Sequence, residues 1–326
     1  LKNDGAAHRG RSHAGVPQDG PGPENWLHRL SRIGARHGLF DRIGPRHAGL
    51  FIDRASDTLL VAFDRTDSAW AGRSDGLPAG FEMVGHGAWS LLSVLAHGET
   101  WFRGAELERF FGALQSSGLL ARYRSVLFFG MGADCGFAAS VFSRFAPGAQ
   151  VLAAGPVATL DPAAAPFERR FRAARRLGFR GPFGNGAQAL AAAGPSVVLY
   201  DPLDMGQAAQ AALFTGGNVL RIGLPYAGRD FHAILQEGGA MVPLLEVLAR
   251  GAPSAQEVRR VLKQPCRENA GTMLRRARAA LVRDQPRRAA CLARQGFFAT
   301  SDPRLGALMS EAEIAEARTP REDEPA

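Results

Sequence analysis

Ser125-Val-Leu-Phe-Phe-Gly-Met-Gly-Ala-Asp-Cys-Gly-Phe-Ala-Ala-Ser140 is the stretch that decides the fold. The apolar run 125–129 enters a glycine-rich turn, and small residues then open a helix. A short, continuous apolar run suits a strand buried on both faces of a parallel sheet. Within the turn, Gly132-Ala133-Asp134-Cys135-Gly136 has the spacing Gly-x-nucleophile-x-Gly, whose glycines permit a strained strand-to-helix turn. Asp134 holds the central position. A carboxylate acts as nucleophile there when it forms an ester intermediate, with the helix N-terminus stabilising its charge. The alternative is that Asp134 caps the helix beginning near Gly136, with Cys135 a small buried hydrophobe.

Downstream, three similar runs, 150–154, 196–200 and 218–222, alternate with helical segments at 136–145, 187–193, 204–214 and 232–250. Upstream, Trp26, Leu27, Leu30 and Ile33 predict a helix over 24–37. Apolar segments 48–53 and 58–64 read as strands joined by a hairpin turn at 54–57. A strand over 89–96 and a helix over 106–119 follow. The rhythm from about residue 48 to 251 predicts an α/β domain with a doubly wound, mostly parallel sheet.

Beyond Gly251 the sequence becomes arginine-rich and helical, with helices expected at 254–262, 269–282 and 285–295, and a last one from Asp302 or Ser310 to Arg318. The expected organisation is a disordered tail at 1–24, the α/β domain at 25–251, a basic helical extension at 252–318 and a disordered acidic tail at 319–326. The sequence begins at Leu1, so an incomplete or mis-started N-terminus is expected, and the first 24 residues lack the apolar core of a signal peptide.

The chain has 326 residues and a formal charge of +8; all of its basic residues except Lys2 and Lys263 are arginine. Apolar residues make up 46%, enough for a sizeable core, and no run approaches the roughly 20 residues of a membrane-spanning helix. Cys135, Cys266 and Cys291 are too scattered for a disulfide framework or zinc site, which makes a reducing cytosol the default location. His86 and His97, eleven residues apart, match no metal motif, and no cofactor is expected.

The basic residues concentrate in two places. Arg169, Arg170, Arg172, Arg175, Arg176 and Arg180 form one group, read either as an anion-binding patch or as a solvated helix face with Phe171 and Leu177 inward. The other lies in the C-terminal helices. That part has neither heptads after a basic region nor an aromatic stacking series, so specific nucleic-acid binding is not expected, and a helical hairpin docked on the α/β domain or on a partner protein is the default.

Over residues 48–250 the chain resembles the α/β-hydrolase fold, because the elbow after one strand is followed by an acid in Tyr200-Asp201-Pro202 and then by His232 after the last strand. The resemblance implies Asp134 as nucleophile, His232 as base and Asp201 as its orienter. Backbone N–H groups near Cys135 and in the loop after Asp64 would then stabilise an oxyanion. Asp201 also reads as an Asp-Pro turn ending a buried strand, and His232 as a surface helix histidine with Asp230 as cap. Arg229 stands in the expected histidine position, which favours a chain without catalysis and adds to the possible anion-binding group of Arg169, Arg170 and Arg172.

The chain is similar, too, to bacterial proteins often labelled phosphoadenosine phosphosulfate reductase. The residues that carry this are Ala146-Pro147-Gly148-Ala149, Ala158-Thr159-Leu160-Asp161-Pro162 and the arginine-rich C-terminal part. That chemistry needs a phosphate-cradling loop and a reactive cysteine. Thr215-Gly216-Gly217-Asn218 leads into a strand instead of a helix, and Cys291 lacks the accompanying motif. The reading is therefore a weak or degenerate hydrolase of a small ester-type substrate, or a non-catalytic binding or interaction protein on the same fold.

Overall fold

A computed structural model describes residues 23–73 and 75–318. The tails expected at 1–24 and 319–326 lie outside the described residues, apart from Pro23 and Glu24. In chain order the first elements are α1 (Pro23–His37), β1 (Gly38–Arg42), β2 (His47–Ile52), β3 (Thr58–Arg65), α2 (Thr66–Gly72), α3 (Glu82–His86), β4 (Ser90–Ala96) and α4 (Ala105–Ser116). Then come β5 (Ser125–Met131), α5 (Ala133–Phe142), β6 (Gln150–Ala154), α6 (Gly186–Ala191), β7 (Ser196–Tyr200), α7 (Met205–Ala212) and β8 (Val219–Gly223). The C-terminal part is helical: α8 (Met241–Ala249), α9 (Ala255–Glu268), α10 (Ala270–Val282), α11 (Pro286–Thr300) and α12 (Pro303–Arg318).

The strands form one eight-stranded sheet in the order β1-β2-β4-β3-β5-β6-β7-β8. β2 runs antiparallel to both β1 and β4; the pairs from β4 through β8 are parallel. This is the mostly parallel α/β sheet that the sequence predicts, with a helical C-terminal region.

Its two faces are legible residue by residue, because successive strand side chains point to opposite sides. Leu60, Ala62, Leu127, Phe129, Leu152 and Ala154 pack on one face with Leu30 of α1, Leu244 of α8 and Val258 and Leu262 of α9. Their neighbours Val61, Phe63, Val126, Phe128, Val151 and Ala153 pack on the other with Phe111 of α4 and Phe142 of α5. Within 252–318, α9 thus joins the larger core, whereas Met273, Leu274, Ala277, Ala293, Leu305 and Leu308 of α10–α12 make a separate cluster.

The hairpin expected between 48–53 and 58–64 does not form. β4 lies between β2 and β3, and the true hairpin is β1–β2, closed by Ile43 N–H donating to the His47 carbonyl at 2.9 Å. β3 is buried along both faces and is satisfied by parallel partners on each side. The linking residues 53–57 cross the start of β4, where Arg54 N–H donates to Ser90 Oγ at 3.0 Å. Crossing one strand needs about 9–10 Å, within the reach of five residues.

Two expected helices are also revised. The segment 232–250 is broken: a π-helical turn at Ala233–Glu237 ends at Gly238 and Gly239, and α8 starts afresh at Met241. The arginine-rich segment 169–180 contains only a short 3-10 turn, Ala174–Leu177, and Leu177 is exposed instead of inward.

Candidate functional site

The carboxyl edge of the sheet is where ligands of open α/β folds bind. At its centre β5 turns into α5 through one residue, Gly132, with φ +89° and ψ 177°. That conformation is essentially restricted to glycine. The Gly132 N–H donates to the Ala154 carbonyl at 2.8 Å, extending the β5–β6 ladder one residue past the strand, and its carbonyl accepts from Gly136 N–H at 3.0 Å as the helix opens. Gly130 lies so close to α5 that a side chain there would collide with the Cys135 carbonyl, and Gly136 packs against Pro156. The turning point of the elbow is therefore Gly132, and Asp134 stands in the first turn of α5.

Asp134 is largely buried, its side chain 14% exposed. Its Oδ1 accepts the neighbouring Cys135 N–H at 2.9 Å, and its Oδ2 lies 3.8 Å from Arg65 Nη1. Burial pushes the carboxyl above its ordinary range, opposed by the Arg65 charge and the Cys135 N–H. Arg65 is itself held by Asp67, with contacts of 3.1 and 2.8 Å. The Cys135 thiol is buried and held well above its ordinary pKa, first by desolvation and then by the charge of Asp134, so it stays protonated.

The other sequence candidates are placed as follows. Asp201 is buried at 3% exposure; Oδ1 accepts N–H groups of Leu203 and Tyr226 at 2.9 and 3.2 Å, and Oδ2 accepts Gly228 N–H at 2.7 Å. Gln207 reinforces it, accepting the Asp201 N–H and donating to the Gly228 carbonyl. Asp201 thus fastens the loop after β8. His232 opens the π-helical turn, which Asp230 caps through Ala233 N–H at 3.2 Å. Its Nδ1 lies 3.4 Å from Glu237 Oε1, and its buried Nε2 has no hydrogen-bond partner among the described residues. The structure gives His232 and Asp201 separate partners and makes no hydrogen bond between them.

Of the N–H groups in the two regions expected to hold an oxyanion, that of Cys135 donates to Asp134 at 2.9 Å and that of Arg65 to Asp64 Oδ1 at 2.8 Å. Among the arginines, Arg170 forks onto buried Glu168 and reaches Asp204 at 3.5 Å, while exposed Arg229 meets the same Asp204 at 3.3 Å. Burial alone would raise Glu168, yet hydrogen bonds from Arg170 and Gln210 and the Arg170 charge hold it below its ordinary range. Arg169 and Arg172 are exposed.

One network at this edge escapes the sequence reading. Asp64, at the end of β3, is 4% exposed and accepts N–H groups of Arg65 and Ala79 and the guanidinium of Arg73. Arg73 continues to Gln236 at 2.8 Å, and Gln236 to Glu82. The one signal available was an aspartate closing an apolar strand, which needs buried donors. Among the described residues no group of three His, Cys, Asp or Glu side chains is placed to hold a metal ion, and no helix is long and apolar enough to cross a membrane. The Thr215–Asn218 loop is structural: the Asn218 amide donates to carbonyls of Leu190, Ala193 and Gly194.

No family model and no curated protein matches the chain, so neither comparison supports the sulfonucleotide-reductase label. Among solved structures it is similar to an esterase of Pyrococcus furiosus in two crystal forms. One is 15% identical with a TM-score of 0.39, covering 60% of this chain and 84% of that one. The other is 13% identical with a TM-score of 0.41, covering 65% and 89%.

Proposed function

We propose that this chain is a degenerate hydrolase-fold protein that binds a small ligand at the carboxyl edge of its sheet without cleaving it. The observation that carries the reading is the elbow itself. The residue at the strand-to-helix turn, where an attacking side chain would be lifted clear of the sheet, is Gly132, which has none. The engagement of Asp201 by three backbone N–H groups supports the same reading, since an orienting acid needs a free oxygen for the imidazole.

A second reading, hydrolysis with Asp134 as nucleophile and His232 as base, is favoured by one observation: the His232 Nε2 has no partner among the described residues. Against it, Asp134 stands in the first turn of α5, two residues beyond the turning point, with its Oδ1 on the Cys135 N–H and its Oδ2 facing Arg65. A panel of short-chain and medium-chain esters, assayed with the wild type and Asp134→Asn, separates the two. The binding reading expects both to match the buffer rate. Turnover by the wild type that Asp134→Asn abolishes would overturn it.

A further inference from the structure

A cavity of about 290 Å³ opens on the same edge, beside the elbow, where the start of β2, the end of β4 and the residue after β3 meet. Thr66, on its wall, directly follows Arg65, the partner of Asp134. Its apolar lining comes chiefly from Leu27 of α1, Phe40 of β1 and Leu95 of β4. Its charged lining is Arg42 and Arg46, beside Thr66, His47 and His97, and no carboxylate lines it. Arg42 and Arg46 are exposed, and neither makes an ion pair among the described residues. His47 closes the cavity from below, held by Thr100 at 2.9 Å and lying 3.4 Å from Glu106, which approaches from α4 on its far side.

Unpaired guanidiniums are uncommon company for an apolar hollow. Elsewhere on this edge Arg65 is matched with Asp67, Arg73 with Asp64 and Arg170 with Glu168, while the exposed Arg169 and Arg172 line no such hollow. Two unmatched forks above an apolar floor form a site for a ligand that supplies the missing anion and an apolar body. We infer that this cavity binds an amphipathic organic anion, with its carboxylate or phosphate head between Arg42 and Arg46 and its apolar portion against Leu27, Phe40 and Leu95. The inference rests on the reading of the chain as a binding protein and names the class of ligand.

Isothermal titration of the full chain with octanoate and octyl phosphate tests it, and the tighter of the two identifies the head group. Acetate, inorganic phosphate and octyl glucoside supply the head or the tail alone. At least one octyl anion should bind more tightly than all three. Arg42→Ala/Arg46→Ala should weaken it by about tenfold or more at an unchanged melting temperature, whereas the double lysine variant should retain more of the affinity. Leu27→Glu, which adds a carboxylate to the wall, should abolish binding.

No binding of either octyl anion, equal binding by the double alanine variant, or octyl glucoside binding as tightly would each overturn the site. Hydrolysis of p-nitrophenyl octanoate, followed in parallel, keeps the two claims apart. Turnover lost in Asp134→Asn sinks the non-catalytic reading, while a failure to bind without turnover sinks this site alone.

Discussion

At the residue scale, the elbow shows why one spacing supports two geometries. Gly130-x-Gly132-x-Asp134 and Gly132-x-Asp134-x-Gly136 have the same spacing, and a sequence does not say which central residue makes the turn. The choice is made by tertiary partners, the Ala154 carbonyl that extends the ladder to Gly132 and the close approach of Gly130 to α5. Asp201 and His232 were legible as polar residues after late strands. Apart from Leu203, two residues beyond Asp201, their partners were not, because those lie in the loop at 226–228 and at Glu237. If Asp201 is a fastener, Asp201→Ala leaves three backbone donors without an acceptor and should cost about 2–4 kcal/mol in urea unfolding. A residue that only orients a catalytic base would leave the midpoint unmoved.

Asp134 makes a further residue-scale prediction. Its folded pKa lies above the ordinary value of 3.8, so the folded state favours the protonated form. Wild-type stability from this group is intact below that value and is lost as pH rises through the raised one. Asp134→Asn carries no such loss, so the stability difference between variant and wild type should shift in the variant's favour from acid to neutral pH. A difference independent of pH would show that the carboxyl is not perturbed by burial.

At the element scale, the parallel strands were the most legible part. Runs 150–154 and 196–200 coincide with β6 and β7, because continuous apolar character and flanking glycine or proline suffice to mark a strand buried on both faces. β1 went unread: Gly38-Leu-Phe-Asp-Arg42 has two apolar residues and is largely exposed, so it lacks the continuous apolar run that marks the buried strands. The false hairpin arose because neighbours in sequence are usually neighbours in space, a tendency that β4 breaks by inserting between β2 and β3. The packing of α4 rests on Phe111, fully buried and stacked on Phe142 at 4.6 Å and Phe63 at 5.9 Å. Phe111→Ala should cost about 3–5 kcal/mol in chemical denaturation, whereas Phe298→Ala, at a side chain 78% exposed on α11, should stay within about 0.5 kcal/mol.

At the scale of the whole molecule, the charge surplus was legible and its deployment was not. Arg275 spends its guanidinium on the carbonyls of Tyr226 and Ala227, joining α10 to the loop that Asp201 fastens, and Arg287 and Arg294 pair with Glu316 and Glu313 of α12. Arg169, Arg170, Arg172 and Arg229 stood out as candidates for binding an anion, yet Arg170 and Arg229 are matched by Glu168 and Asp204. The unmatched pair at the cavity, Arg42 and Arg46, emerges only when β1 and β2 are brought beside β4.

The central claim is that the elbow of this fold carries no working nucleophile. It is tested most directly by single-turnover hydrolysis of medium-chain p-nitrophenyl esters with the protein in excess, for the wild type and Asp134→Asn. The account predicts that both release p-nitrophenol at the buffer rate. A burst in the wild type that is lost in Asp134→Asn would contradict it.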